Sequence, residues 1–378
     1  MPSTTAPPIT YLFAGGGTGG HLYPALAIWE ELRALVPSAD AHLLCSSRPI
    51  DREVLTPHAI PFTPLPAQYP GLAPRQLWRF LSNWPPSVRA TRQVIQQARK
   101  LAHPVHLITL GGFVAAPAVQ AARAERIPIT LINIDAVPGK ANRWIAQHAQ
   151  HAFTTVASPS HPHWKHIPPI VRRAARQVRD RTTTRAILGL DPALPVLLIT
   201  GGSLGARTLN NLLHNLASNK AHQPVLSNWQ ILHQTGSTPD AERLQTTYTQ
   251  AGIRAQVLPF TEQLPLWWSA ADFALSRAGA GAVAEAWASG TPTLFAPYPH
   301  HKDQHQRFNA QTLVQAHAAE IADDLIDDQS NLQGPLGQAL LRLLKTPATL
   351  ATMRTAAENL GPADGALQIA QNLAQKVL

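Results

Sequence analysis

The chain has 378 residues, enough for two or three domains, and 45% of them are hydrophobic, enough for ordinary globular cores. Its 31 Lys and Arg exceed its 22 Asp and Glu, for a formal charge of +9, a balance that suits nucleic acid, an anionic membrane surface or phosphorylated substrates. No block of like charges appears and the aromatics are not interleaved with arginines in an RNA-binding pattern, which argues against a nucleic-acid partner, and the single cysteine, Cys45, excludes an intramolecular disulfide or a cysteine zinc cluster.

Residues 1–8 are polar and Pro-rich, without a basic segment leading into an apolar one. They are expected to form a disordered tail and not a signal peptide. No apolar stretch approaches the roughly 20 residues of a membrane span. A lone cysteine fits a reducing compartment, and without such a span any membrane contact is expected to be peripheral.

Ile9–Ala14 is an apolar run of strand type, and Leu22–Leu32 has the pattern of a helix. Between them lies Gly15-Gly16-Gly17-Thr18-Gly19-Gly20-His21. A strand, a glycine turn and a helix aim free backbone N–H groups and the positive helix end at an anion. His21 adds a titratable group at that mouth. The spacing also satisfies G-x-G-x-x-G, but a dinucleotide site wants an acid at the end of the second strand. That strand, His42–Cys45, runs into Ser46-Ser47-Arg48, and Asp40 precedes it. A tight turn without a ligand, with His21 merely ordering it, is the plain alternative.

Leu72–Arg92 holds Leu77, Trp78, Phe80, Leu81 and Trp84 among Arg75, Arg79, Arg89 and Arg92. Exposed aromatics beside arginines suit an anionic interface, and a helix packing an apolar face on the core fits equally well. Pro85-Pro86 predicts a break, hence a short exposed helical piece. Strands at Val105–Leu110 and Ile129–Asn133 alternate with helices at Val114–Glu125 and Ala141–His148. Such an order implies a parallel sheet with helices on both faces.

Residues 157–195 break the rhythm with six prolines and a basic run at Arg172–Arg176, which places the domain junction there. The opening pattern then returns as Val196–Thr200, the turn Gly201–Arg207 and a helix at Thr208–Ala217. Further strands are predicted at Trp229–His233, Ala255–Pro259, Asp272–Leu275 and Thr293–Ala296, the last closing the series. Ligands of such sheets bind at the carboxyl ends of the strands, and two facing sheets make a cleft. Residues beyond about 330 have helical pattern, and the last stretch, Ala363–Leu378, is expected to pack back across the junction.

Two further stretches carry chemistry. Ser276–Glu285 follows a strand and opens a helix with small residues on which a nucleotide can lie. Glu285, in the first turn or so, can accept two hydrogen bonds from ribose hydroxyls, or be a solvated glutamate favoured by the helix dipole. Pro299–Asn309 crowds donors and acceptors at a helix start, which suits a hydroxyl-rich ligand. Its histidines match no standard metal-ligand spacing.

With these motifs in place, the chain resembles glycosyltransferase family 28 of the two-Rossmann-domain (GT-B) type, the bacterial peptidoglycan enzymes that add N-acetylglucosamine to undecaprenyl-diphospho-muramoylpentapeptide. The resemblance rests on GGGTGGH at 15–21, GGFVAAP at 111–117, GGSLGAR at 201–207, RAGAGAVAE at 277–285 and HKDQHQRFNA at 301–310. Their order and spacing are far more specific than any one alone, and they cover nearly the whole chain.

The resemblance implies an α/β chain of two doubly wound Rossmann-like domains facing across a cleft. Residues 9–165 form an acceptor- and membrane-facing domain, 166–360 a UDP-sugar domain, and 361–378 a returning helix. Thr18, Gly19 and Gly20 line the site near the transferred sugar and the acceptor phosphates, with His21 as base or acceptor-positioning group. Ser203 and Arg172 meet the donor's ribose-diphosphate region, and the backbone at Thr261 reads the uracil. Ala280, Gly281, Ala282, Val283, Ala284 and Glu285 hold the nucleotide, with Glu285 on the ribose. His305 and Gln306 read the sugar hydroxyls. Leu77, Trp78, Leu81, Trp84, Arg75 and Arg79 contact the membrane.

The sequence departs from the family at Asp135, where an asparagine is usual, at His305 and Leu204, each in place of a glutamine, and at Pro168–Arg172. A carboxylate beside a diphosphate needs a proton or a partner such as Lys140 or Arg143. The implied partners are UDP-N-acetylglucosamine (UDP-GlcNAc), undecaprenyl-linked muramoylpentapeptide and an anionic membrane surface, at the cytoplasmic face of the inner membrane. No Asp-x-Asp follows a strand, and no metal or cofactor is expected. Sugar transfer needs stabilised leaving-group charge, from helix N-termini and Arg172, and a deprotonated hydroxyl, from His21. A single displacement inverts the anomeric centre. A related transferase with another lipid or small hydrophobic acceptor, and an inactive nucleotide-sugar binder, remain open on sequence.

Overall fold

The computed structural model of the protein describes residues 8–17, 19–69, 71, 73–157, 160–176, 180–202, 205–300 and 303–375. It separates into two compact units. Unit 1 comprises the residues through Arg172 together with those from Asp364 onward, and unit 2 comprises Arg173–Ala363.

Unit 1 is built on β1 (Thr10–Ala14), β2 (Asp40–Ser46), β3 (Phe62–Leu65), β4 (Val105–Thr109), β5 (Ile129–Asn133), β6 (His151–Thr154) and β7 (Lys165–His166). These pair in the order β3-β2-β1-β4-β5-β6-β7, and every pairing is parallel. Its main helices are α1 (Gly19–Leu35), α2 (Pro49–Leu55), α3 (Pro74–Lys100), α4 (Ala115–Ala124) and α5 (Lys140–Ala146).

Unit 2 repeats the plan with β8 (Val196–Thr200), β9 (Gln230–Gln234), β10 (Ala255–Leu258), β11 (Phe273–Ser276), β12 (Thr293–Phe295) and β13 (Ala319–Ile321), paired in parallel as β10-β9-β8-β11-β12-β13. Both orders are those of a doubly wound nucleotide-binding sheet. Strand β8 shows why such strands are apolar throughout. Leu197 and Ile199 enter one core with Leu209, Leu213 and Leu340, while Val196 and Leu198 enter the opposite core with Trp267 and Trp268. Successive side chains point to opposite faces, and helices cover both.

Several elements differ from expectation. Strands β3, β6, β7 and β13 are not among the expected ones. Pro64 disguises β3, which tolerates a proline because it is an edge strand. Strand β13, Ala-Glu-Ile, has no apolar run to announce it and is defined by its pairing with β12. The predicted break at Pro85-Pro86 does not occur, because α3 runs unbroken for 27 residues. The prolines leave the carbonyls of Leu81 and Ser82 without their helical donors, but both residues are exposed, so water can serve. The second half of the helix is anchored through buried Thr91, Val94, Ile95 and Ala98. Near the chain end, the helix Gly365–Ala374 packs on α1 in unit 1, and Asp364 pairs with Ile170. Among the described residues no helix is long and apolar enough to cross a membrane.

Unit 2 is locked by a buried cation. The Arg277 guanidinium, just after β11, bonds Asp324 at 2.7 Å, Thr208 Oγ1 at 2.8 Å and the Ala296 carbonyl at 2.9 Å. Asp324 also accepts from Thr208 and Asn331, so this pair ties together five segments at the carboxyl edge of the sheet. Arg277 is 8% exposed and Asp324 not at all, so removing one partner strands the other. Asp324→Ala is expected to lower the stability of unit 2 by about 3–5 kcal/mol. Removing the exposed Arg342–Glu320 pair by Arg342→Ala should cost under about 1 kcal/mol, and denaturant unfolding of both variants checks the contrast.

Candidate active site

In unit 1 the strand order reverses between β1 and β4, so the turns after those strands open together at the carboxyl edge. They are Gly15–Gly17 and Gly111–Gly112. His21, in the first turn of α1, lies between them. A Cβ on Gly15 would stand 3.2 Å from the His21 Cβ, and one on Gly112, where φ is +79°, would stand 3.2 Å from its Nε2. The ring as a whole is half-buried, while its Nδ1 is enclosed and makes no hydrogen bond. Burial pulls the imidazole below its ordinary pKa, and the nearby carboxylates of Asp135 and Asp51 oppose that pull. Because the net shift is downward from 6.5, His21 is mainly neutral at pH 7.

Asp51, on α2, was not foreseen. It is fully buried, and both its oxygens accept from the Gly17 N–H, at 3.0 and 2.9 Å. Its Oδ2 also accepts from the Ser46 N–H and hydroxyl, both at 2.7 Å. Gly16 has no room for a side chain, since a Cβ would meet Asp51 Oδ2 at 2.4 Å. Asp51 lies three residues beyond Arg48, on α2 and not at the strand end where a dinucleotide site carries its acid. A dinucleotide reading fails here for a physical reason, because a turn N–H that phosphate would need already serves a carboxylate. Arg48 clasps the same turn from outside, donating to the Gly17 carbonyl at 2.8 Å while lying over the Phe113 ring. Cys45, buried beside Asp51, has its thiol pushed up to about 12 and is no nucleophile.

Helix α1 begins at Gly19, with Gly20 exposed, so its first-turn N–H groups head the site. Thr18 lies outside the described residues. Asp135 follows β5 on a tied loop. Asn133 Nδ2 donates to the Asp135 carbonyl at 2.7 Å, and Asn142 Nδ2 donates to Asn133 Oδ1 at 2.9 Å. The Asp135 carboxylate acts on His21 through its charge. Arg172 pairs with Glu30 Oε1 at 2.7 Å, roughly 14 Å along α1 from His21 at 1.5 Å per residue.

Of the residues expected at a membrane, Leu77, Trp78 and Leu81 are exposed at 47, 68 and 58%, and Arg75 and Arg79 stand among them. Trp84 differs. It is half-buried, donates its indole N–H to Gln120 on α4 and stacks edge-on with Phe80.

In unit 2 the order reverses between β8 and β11, which brings the turn after β8 and the start of the helix Ala280–Ser289 to one edge. Ser203, in that turn, lies outside the described residues. A Cβ built on Gly279 or Gly281 meets nothing within 4 Å, so the helix start is open. Ala280 and Ala282 are half-buried beside it, but Val283 and Ala284 are buried, and Val283 packs into the core. Glu285 is not in the first turn but the second, so the helix dipole does not explain it. Burial pushes its carboxyl up to about 7, and the nearby Trp268 indole N–H, buried and short of full hydrogen-bond geometry, partly offsets the rise.

The hydroxyl of buried Thr261 accepts from the Gln263 N–H at 3.0 Å. Gln306 Oε1 accepts from the Tyr298 N–H at 2.9 Å, which leaves its amide N–H groups for a ligand. His305 Nδ1 lies 2.8 Å from Asp303 Oδ1.

Replacing Asp51 by Ala leaves the N–H groups of Gly17 and Ser46 buried and unpaired. The change is expected to loosen the turn by about 2–4 kcal/mol. Faster hydrogen exchange at the Gly17 amide, with exchange in unit 2 unchanged, is the measurement.

The N-terminal-domain signature of glycosyltransferase family 28 matches residues 11–154, and its C-terminal-domain signature matches residues 196–373. A UDP-N-acetylglucosamine–N-acetylmuramyl-(pentapeptide) pyrophosphoryl-undecaprenol N-acetylglucosamine transferase from Clavibacter sepedonicus is 33% identical over 95% of this chain and 94% of its own. A protein of the same name from a Nocardioides species is 34% identical over 83% and 84%. The crystal structure of Acinetobacter baumannii MurG superposes with a TM-score of 0.71 at 25% identity, covering 98% of this chain and all of that one. A UDP-GlcNAc 2-epimerase from Neisseria meningitidis, 14% identical with a TM-score of 0.63 over 98 and 99% of the two chains, shares the fold.

Proposed function

The chain belongs to glycosyltransferase family 28, and from that premise we propose that it transfers N-acetylglucosamine from UDP-GlcNAc to the muramoyl C4 hydroxyl of undecaprenyl-diphospho-muramoylpentapeptide, with inversion. The observation that carries the reading is His21, a neutral imidazole set between two glycine turns with its Nε2 toward Gly112. Because Gly112 has no side chain, the Nε2 face stays clear for a hydroxyl.

In the reaction the acceptor oxygen attacks the anomeric carbon as the bond from that carbon to UDP breaks. The hydroxyl proton passes to His21 Nε2, and the leaving charge collects on the diphosphate. Backbone N–H groups of the turn after β8, with Ser203 and Arg172, take that charge. Glu285 accepts from the ribose hydroxyls, the backbone at Thr261 reads the uracil, and His305 and Gln306 read the sugar. Of the stretch 280–285, Ala280–Ala282 and Glu285 are the contact set. Val283 and Ala284 shape it from beneath. Thr18, Gly19 and Gly20 face the acceptor. The exposed Leu77, Trp78 and Leu81, flanked by Arg75 and Arg79, seat the protein on the anionic cytoplasmic face of the inner membrane as a peripheral enzyme.

Labelled UDP-GlcNAc and lipid-linked muramoylpentapeptide test the reading directly, and absence of transfer by the wild type refutes it. His21→Ala should lower kcat roughly 10²–10⁴-fold with little change in donor KM. Because the His21 pKa is depressed, the neutral base persists below pH 6.5, and the acid limb of kcat should fall below that value.

Glu285 predicts a second pH effect. Its carboxyl ionises near 7, and the ionised form accepts both ribose hydroxyls, so donor KM should fall as pH rises from 6 to 8. Glu285→Gln should raise donor KM about tenfold and flatten that dependence.

A further inference from the structure

Trp268 carries a buried hydrogen-bond donor that the fold does not use. It lies on the helix Leu264–Ala270 and is 1% exposed, and its indole Nε1 is enclosed and makes no hydrogen bond among the described residues. Trp229 and Trp287, also in unit 2, donate theirs to the carbonyls of Leu344 and Gly361 at 3.3 and 2.9 Å. A donor left unpaired in a core is unfavourable and calls for a reason. The polar group beside it is Glu285, on the helix Ala280–Ser289. The two helices are fixed against each other. Trp268 shares a core cluster with Val283 and Ala286, and Thr291, just after the second helix, donates its hydroxyl to the Trp268 carbonyl at 2.9 Å. Glu285 itself is half-buried.

We propose that the Trp268 indole N–H orients Glu285, holding its carboxylate from the core side while the outer side accepts from the ribose hydroxyls of the nucleotide. On the reading of Glu285 given above, on which this inference rests, Trp268 is a positioning residue and not a contact of the ligand. A carboxylate has about four acceptor positions, so one indole N–H and two hydroxyls can be met at once. The charged groups nearby do not take that place. The helix Leu264–Ala270 is uncharged, Arg173–Arg176 carries Arg173 and Arg176, His305–Asn309 carries His305 and Arg307, and Glu358 stands at the far end of the Glu285 helix, by Gly290. Burial pushes the Glu285 carboxyl up to about 7, and the indole N–H pulls the other way, toward the ionised form that serves both hydroxyls. Two hydroxyls arriving from outside favour the same form, and the charge they stabilise draws the indole N–H into a full bond. The inner and outer bonds therefore strengthen each other.

The test uses UDP and a dideoxyuridine diphosphate that lacks both ribose hydroxyls, with the full chain isotopically labelled at its tryptophan indole nitrogens. In the wild type the Trp268 indole signal, assigned through its backbone, should move downfield on UDP and stay in place on the dideoxy nucleotide. Trp268→Phe should raise Kd for UDP roughly tenfold and leave Kd for the dideoxy nucleotide unchanged. In a Glu285→Ala background, where no carboxylate remains to orient, Trp268→Phe should add nothing. Equal losses on both nucleotides mark a packing defect and overturn the proposal. So does an indole signal that both nucleotides move alike, a result read on the wild type and so independent of whether the variant folds. UDP binding with an unmoved Trp268 signal refutes the positioning role alone. Failure of the wild type to bind UDP refutes the nucleotide site beneath it.

Discussion

A single buried carboxylate decides what the first glycine turn can do. Asp51 takes the Gly17 N–H on both oxygens and the Ser46 N–H and hydroxyl on one, so the turn is closed from within. In a dinucleotide-binding sheet, donors of this kind wait for phosphate. Here they are committed, and an anion reaching the turn meets a negative charge just behind it. Positive charge must therefore come from elsewhere. The remaining sources are the start of α1 and the side chain of Arg48, itself oriented by the carbonyl of the residue whose N–H Asp51 holds.

The second unit solves the matching structural problem with the opposite sign. Its sheet repeats the strand order of the first, so its two central turns also meet at the carboxyl edge. The charge buried there is a cation, Arg277, neutralised by Asp324 and bonded to the Ala296 carbonyl just after β12. A fixed, fully paired ion pair stiffens the loops without projecting net charge toward a ligand. That leaves the open helix start at Gly279–Gly281 to the backbone and to Glu285, as suits a ligand whose hydroxyls matter as much as its phosphates.

The repeated plan was legible because parallel strands buried on both faces read as continuous apolar runs. Ile129–Asn133 appears in the structure with its expected bounds, and the family resemblance rests on glycines that the turns do require. What failed to show had no local signature. Strand β13 exists through its partner, β3 carries a proline that only an edge strand accepts, and α3 continues through two prolines because its exposed carbonyls can turn to water. In the site, His21 was visible from its neighbours in sequence. Asp51 was not, since a lone aspartate after Pro49 says nothing of a glycine 34 residues earlier. The expectation of Glu285 in the first turn or so also shifts, because the helix starts at Ala280 and Glu285 is its sixth residue.

In the proposed reaction, these charges bear together on the proton that must leave the acceptor. Burial alone would keep His21 neutral but would also oppose the imidazolium that forms when it accepts a proton. Carboxylates alone would stabilise the imidazolium but protonate the ring in the resting enzyme, leaving no base. The site has both, with burial the larger influence at rest and Asp135 and Asp51 opposing it. As the proton arrives, the ring's new charge faces two negative groups already fixed in place, so the protein need not reorganise to receive it. Asp135 therefore has a use at a position where the family usually carries a neutral side chain. Its field acts on the imidazole, where burial would otherwise make a positive charge costly.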